Sequence, residues 1–359
     1  MAFCVFCGAP PSEKTREHVI PQWLLKLTGD PNRKANFGRD WMSPDFKQRI
    51  YAWSAFTFPA CDKCNAEWAE REGKVKGIVE RMLASQPLTA QDFYLFLDWI
   101  DKVRTGLWLG MIYLNKNYRG VIPQFHIEDR VAQKDRALLI FEADDDVEGI
   151  ALGGIDTPVF HSAPSVFFLG INRFCFMSVS SDFLLARRLG WPYATDRKFV
   201  DIDTDGFQSE TDEGTGQIAS PVLMSLPASL GTVLLQPIAH QYLRRANPDE
   251  FRNIFLNDYV KAASIDDDSG IGRLLIGNDP PAFYPAEETD LWLPRKKYER
   301  QALAADLALW SAELQREMFR DQPDYSHFPE VDRKHRASEI EGILKIQDLI
   351  IAHLRRGGL

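Results

Sequence analysis

Apolar residues at three- and four-residue steps dominate two stretches of the first third of the chain. Trp68, Val75, Ile78, Val79 and Met82 line one face of a helix predicted to run from Cys61 to the breaker SQPLT at 85–89. Thr89 is placed to cap a second helix, AQDFYLFLDWIDKVRTGLWLGMIYL, apolar enough to be largely buried. Residues up to about 60 are rich in turn formers and aromatics, with one short helical segment, PQWLLKLTG, that Gly29-Asp30-Pro31 would stop. Between about 137 and 240 the pattern changes to strands: RALLIFEAD, SVFFLGINRFCFMSVSS, FLLARRLG, ASPVLMSL and GTVLLQPI. Helical spacing returns in YERQALAADLALWSAELQREMF and in ASEIEGILKIQDLIIAHLRR. The second of these carries a stripe of Ile340, Ile343, Leu344, Leu349 and Ile350, expected to pack on its own domain, with a second subunit as the alternative. No internal repeat or low-complexity linker divides the chain, so a boundary near residue 85 follows from the extent of the motifs below.

A chain of 359 residues suits two domains, or one large domain with a small appendage, and 45% hydrophobic with 26% charged residues is a globular composition. The longest uncharged stretch, residues 220–243, contains three prolines, a glycine, two glutamines and a histidine. Buried strands broken by turns account for it better than a membrane span. The start, MAFCVFCGAPPSEK, has neither a basic segment nor a long apolar one, so the expected location is cytoplasmic. The net charge of −9 is unevenly spread: residues 1–80 hold 12 Lys+Arg against 10 Asp+Glu, a balance of +2, and the remainder carries −11. A mildly basic front on an acidic body is compatible with a local nucleic-acid footprint.

Four of the five cysteines form two Cys-x-x-Cys pairs, Cys4 with Cys7 and Cys61 with Cys64. In a chain with no secretory signal such knuckles point to a tetrahedral structural Zn²⁺, with a redox pair as the alternative. The first pair, CVFCG, reads as a turn, and the second opens the helix from Cys61. A knuckle joined to a helix start through one metal is a treble-clef arrangement, which would make zinc a folding requirement for so small a piece.

Between the pairs stands EHVIP, residues 17–21, and CDKCN closes the second pair. In this order CVFC, EHVIP and CDKCN resemble the HNH, or ββα-metal, nuclease family, over roughly residues 3–85. The trailing CNAEW is similar to a widespread group of bacterial proteins with Cys-Asn-x-x-Trp after the second knuckle. The resemblance implies His18 as the general base that deprotonates a water, with Glu17 and Asn65 holding one catalytic Mg²⁺ or Mn²⁺. Glu72, two helical turns after Asn65, would reach the metal shell or orient His18, a solvated helix glutamate being the alternative. Glu17 stands where Asp is commoner, and neither Asn32 nor Asn36 occupies the family's middle-asparagine position. Adjacent strand residues face opposite ways, so Glu17 and His18 converge only if the backbone turns there.

The resulting expectation is an α+β chain: an N-terminal zinc-stapled treble-clef ββα-metal module over 1–85, then a larger mixed α+β region with C-terminal helices over 86–359. The function implied is endonuclease hydrolysis of phosphodiester bonds, DNA favoured over RNA, in the setting of defence against phage or foreign DNA. Residues 86–359 would select substrate, hold a regulatory partner or assemble a homo-oligomer. The alternative is a zinc-dependent protein that binds nucleic acid or protein without catalysis. Weaker signals are set beside these. DIDTDG, with Asp201, Asp203, Asp205 and Gly206, matches the opening of a calcium loop but has Asp212 at its last position and no flanking helices. EADDD and SIDDDSG read as solvated loops, Cys175 as a buried small hydrophobe, and GTGQIAS lacks the lysine of a phosphate loop. His126, His161, His240, His327, His335 and His353 show no ligand-like spacing.

Overall fold

In the computed structural model the described residues are 3–12, 16–39, 45, 47–114, 126–128, 131, 135–153, 165–181, 193–194, 197–203, 206–211, 215–216, 232–236, 273–276, 282–285, 297–320 and 329–357. The first unit is small. Strand β1 (Arg16–His18) pairs antiparallel with β4 (Thr57–Pro59), Glu17 opposite Phe58. Between them lie helix α1 (Gln22–Leu27) and an antiparallel hairpin of β2 (Lys34–Arg39) and β3 (Gln48–Ala52). As the sequence predicts, α1 stops at Gly29, whose φ of +119° a side chain would strain.

Helix α2 (Asp62–Leu83) then starts at Cys61, and its buried face is Cys64, Trp68, Glu72, Val75, Ile78, Val79 and Met82. The five apolar residues expected there are all inside; Glu72 is the surprise. Helix α3 (Ala90–Leu114) begins with a reciprocal cap. Thr89 Oγ1 accepts the Asp92 N–H at 3.2 Å, and Asp92 Oδ2 accepts the Thr89 N–H at 2.8 Å. Two glycines one turn apart on α3 let β1 and β4 lie against it. A Cβ on Gly106 would stand 3.1 Å from a Val19 methyl, and one on Gly110 would stand 2.6 Å from the Phe56 ring.

The larger sheet has the order β15-β14-β13-β5-β8-β7-β6. Its strands are β5 (Asp135–Ala143), β6 (Ile150–Gly153), β7 (Ser165–Ile171), β8 (Phe174–Ser181), β13 (Thr232–Gln236), β14 (Arg273–Ile276) and β15 (Ala282–Pro285). Neighbours in it are antiparallel, while β16 (Lys297–Tyr298) runs parallel to the end of β5. The block SVFFLGINRFCFMSVSS is two strands, because Asn172, at φ +50°, turns the chain back. On β5 the residues Ala137 to Phe141 are all buried, the mark of a strand covered on both faces. One face, with Leu138, Ile140, Phe167, Leu169, Phe174 and Phe176, joins a single hydrophobic cluster with α2, α3 and the cysteine segment. The Phe96 and Phe176 rings meet edge to face at 4.8 Å. The described residues up to 85 therefore share their core with the sheet.

Helices α4 (Arg300–Arg320) and α5 (Glu330–Arg355) close the chain and pack on each other. The α5 stripe is corrected in one position: Gln347 and Ile351 form its buried line, whereas Leu349 is 70% exposed. The acidic run at 142–146 is also corrected, since Asp145 pairs with both guanidinium ends of Arg300 and only Asp144 and Asp146 stand exposed. Cys175 is buried, as expected of a small hydrophobe. The calcium-loop reading fails on geometry. Between the paired strands β9 (Tyr193–Ala194) and β12 (Thr215–Gly216), β10 (Arg197–Asp203) and β11 (Gly206–Thr211) form a hairpin with Asp203 opposite Gly206, which leaves no room for a twelve-residue loop between helices. Three smaller pieces of the sequence reading, FLLARRLG, ASPVLMSL and SIDDDSG, lie outside the described residues, as do His161, His240 and His327. Among the described residues no helix is long and apolar enough to cross a membrane.

Candidate metal centre and the buried cluster beside it

Cys4 and Cys7 sit in a tight knuckle that Gly8 closes at φ +75°. The Gly8 N–H reaches Cys4 O at 2.9 Å and the Cys4 N–H reaches Ala9 O at 2.7 Å. Backbone bonds then zip the knuckle to the approach of α2: Val5 N–H to Pro59 O at 3.0 Å and Ser12 N–H to Ala60 O at 3.2 Å. Ser12 Oγ accepts the Asp62 N–H at 3.0 Å, a cap for α2 supplied from far away in sequence. On the other side Ile127 and Glu128 donate to Val5 O and Phe6 O.

These bonds bring the four sulfurs of Cys4, Cys7, Cys61 and Cys64 within 4.8 Å of one another. Cys7 Sγ and Cys61 Sγ are 3.8 Å apart. Four sulfurs at about 2.3 Å from a tetrahedral zinc are about 3.8 Å from each other, so the arrangement fits that ion. Protonated thiols crowd badly here. Burial pushes Cys7 and Cys64 up, with neighbouring thiols adding to the rise at Cys64, while the Cys64 backbone N–H at the open helix start lowers Cys61. A dication held by the four sulfurs would resolve the conflict by displacing the thiol protons. Among the described residues no other group of His, Cys, Asp or Glu gathers in this way.

Of the four other residues implied by the HNH resemblance, Glu17 and Glu72 meet in a second cluster, with His18 and Asn65 on the same elements β1 and α2. Glu17 turns into the core, and so does Glu72, each only 8% exposed. Between them lies Lys102 of α3, 1% exposed, whose Nζ donates to Glu17 Oε1 at 2.6 Å, to Glu72 Oε1, and to the His18 carbonyl at 2.9 Å. Three donors meet three acceptors, so the ammonium is fully satisfied without water. The Trp68 and Phe6 rings flank it, with centroids 5.7 and 6.0 Å from Nζ. The solvated-glutamate reading of Glu72 is thereby excluded. With all three groups ionised the cluster sums to −1, and burial, reinforced by Glu17, raises the Glu72 carboxyl above the ordinary glutamate range although Lys102 opposes the rise.

The His18 imidazole faces the other way, with Nε2 3.4 Å from Gln22 Nε2 of α1, while its buried Nδ1 has no hydrogen-bond partner. Burial is the largest cause that lowers its pKa from 6.5, Lys102 and Arg16 adding to the effect and Glu17 opposing it. Glu17 and His18 thus keep the strand alternation and have different side-chain partners. Asn65 is half-buried in the first turn of α2, its N–H bonded to Cys61 O at 3.0 Å. It follows Cys64 directly and shares the face of α2 that carries Trp68 and Glu72.

Lys102 escaped the sequence reading, although a signal was present. Beyond the first turn, Asp98, Asp101, Lys102 and Arg104 are the charged residues of a largely apolar helix, and each one has an ionic partner. Arg136 of β5 takes Asp98 Oδ1 at 2.8 Å and Asp101 Oδ2 at 3.0 Å, so α3 is pinned to the sheet on one side and to β1 and α2 on the other. No protein-family model, curated protein or solved structure matches this chain.

Proposed function

We propose that the chain is a metal-dependent endonuclease of the HNH type, its zinc-stapled treble clef forming the catalytic module and DNA preferred over RNA. The observation that carries this reading is the thiol tetrad, because Asn65 follows Cys64 and the sulfurs that hold one ion also fix the start of α2. His18, on the strand paired to the approach of that helix, is the general base. Its lowered pKa favours the neutral imidazole, the form that can accept a proton from water.

Glu17 Oε1 is engaged by Lys102, which leaves Oε2, and with the Asn65 amide oxygen it offers the hard donors that Mg²⁺ or Mn²⁺ requires. The −1 balance of the buried cluster favours a cation there. Such an ion supplies charge stabilisation at the phosphate when bound. Exposed Arg16, Lys63 and Arg71 lie on the same elements as His18 and Asn65 and give the phosphate backbone positive partners.

Supercoiled plasmid and structured RNA, each with Mg²⁺ or Mn²⁺, test the reading. The wild-type chain is expected to cleave DNA, and His18→Ala to lose at least about a hundredfold in kcat. Cleavage by both proteins alike, or by neither, would sink it. A further expectation concerns pH. Because the folded His18 releases its proton more readily than a free histidine, the acid limb of kcat should lie below pH 6.5. A midpoint above that value would remove His18 from the role.

One observation favours the second reading, a zinc-dependent binding protein without hydrolysis: the carboxylate assigned to the catalytic ion is already paired with an ammonium. Sequence-independent binding of DNA with a steep salt dependence and no cleavage would support it.

A further inference from the structure

Lys102 lies outside the segment that resembles a nuclease, yet its ammonium is the point at which β1, α2 and α3 meet. Its three partners are unequal in kind. Glu17 and Glu72 are side chains, but the His18 carbonyl is backbone, and a bond to it fixes the strand end from which the imidazole projects. Gly106 and Gly110, one and two turns further along α3, accept Val19 and Phe56 at close range, so the same helix that carries the ammonium also seats the residue after His18.

We propose that Lys102 is a positioning residue of the nuclease site. It holds Glu17 Oε1 so that Oε2 remains for the metal ion, and it holds the end of β1 so that His18 stays directed away from the core. The working catalytic unit then extends through α3 rather than ending near residue 85. This rests on the nuclease reading, and the test separates the two.

Removing the ammonium alone leaves two buried carboxylates, so the informative comparison is Glu72→Gln with Glu72→Gln/Lys102→Met, which keeps the cluster balance at −1 in the double variant as in the wild type. In the full-length zinc-loaded chain the double variant should retain its zinc, show a KM for DNA within about threefold of Glu72→Gln, and lose about a hundredfold in kcat. Hydrogen–deuterium exchange should accelerate in residues 16–20 while residues 61–64, held by the tetrad, stay protected. A residue that merely stabilises the fold would reduce the amount of folded, zinc-bound protein and leave kcat per folded chain unchanged; that result overturns the proposal, as does unchanged exchange at 16–20. If the double variant does not fold, Lys102→Arg keeps the charge but replaces the compact ammonium with a planar fork, and is read by the same criteria. Should the wild-type chain cleave nothing, the nuclease reading falls on its own. The hold on β1 is then decided by the exchange data, faster exchange at 16–20 upholding it and unchanged exchange overturning it.

Discussion

Stripping the metal from the four thiols is expected to unfold the N-terminal third of the protein. The native chain should carry about one zinc per chain. Structural zinc contributes about 10–16 kcal/mol in small modules at neutral pH, comparable with or larger than the whole net stability of an ordinary domain. The knuckle has little else to hold it: backbone bonds to 59–60 and to 127–128, and the side chains of Val5 and Phe6. Because Cys4, Phe6 and Trp68 belong to the same cluster as Phe96 and Phe176, the damage should spread into α3 and the sheet. A strong chelator, or Cys64→Ser, should therefore lower Tm for the whole described core, with loss of near-ultraviolet signal from Trp68 and Trp99. A metal analysis that finds no zinc, with an unchanged melt in chelator, would show that the sulfurs form no metal site.

Lys102→Met should cost about 3–5 kcal/mol at pH 7, among the largest effects of any single substitution outside the tetrad, because it strands two buried carboxylates. The pH dependence of that loss identifies its cause. Glu72 already has a raised folded-state pKa, so the folded chain holds that proton more tightly than the unfolded chain does. Its favourable contribution is present below the ordinary glutamate value and fades as pH rises through the raised one. Without the ammonium, the cause that lowers Glu72 disappears, and its rise should be larger. The variant is thus expected to be weakest at neutral pH and to recover part of its stability near about pH 5, where protonation replaces the missing cation. Denaturant unfolding at both pH values measures this. An equal loss at the two would mean that packing around the four-carbon stem, rather than charge, is what Lys102 contributes.

The helices of the front unit were legible in the pattern of residues, whereas its two strand pairs were not. Trp68 to Met82 at helical spacing, Thr89 before an apolar run, and Gly29-Asp30-Pro31 after a short one each define a boundary through local physics, and the structure follows them. The four sulfurs were legible as well, since Cys-x-x-Cys spacing is itself a statement about geometry. What periodicity misjudged was polarity. The sequence pattern puts Glu72 in a metal shell, against His18 or in water, and Leu349 on a buried stripe; one is inside and paired to a lysine, the other outside. A helical wheel gives an angle, not the identity of the neighbour that meets it.

The sequence alone therefore determined the helices in their order, the cysteine tetrad and the placing of Glu17, His18 and Asn65 close to it along the chain. Only the tertiary structure decided that the Glu17 carboxylate belongs to an ammonium donated by α3, that His18 faces Gln22 instead, and that the front unit shares one core with the sheet. The reason is one of range. Spacing, caps and knuckles are set by interactions within a few residues, whereas a buried charge takes whichever partner the packing of distant segments brings within hydrogen-bond reach, and Glu17 and Lys102 are 85 positions apart.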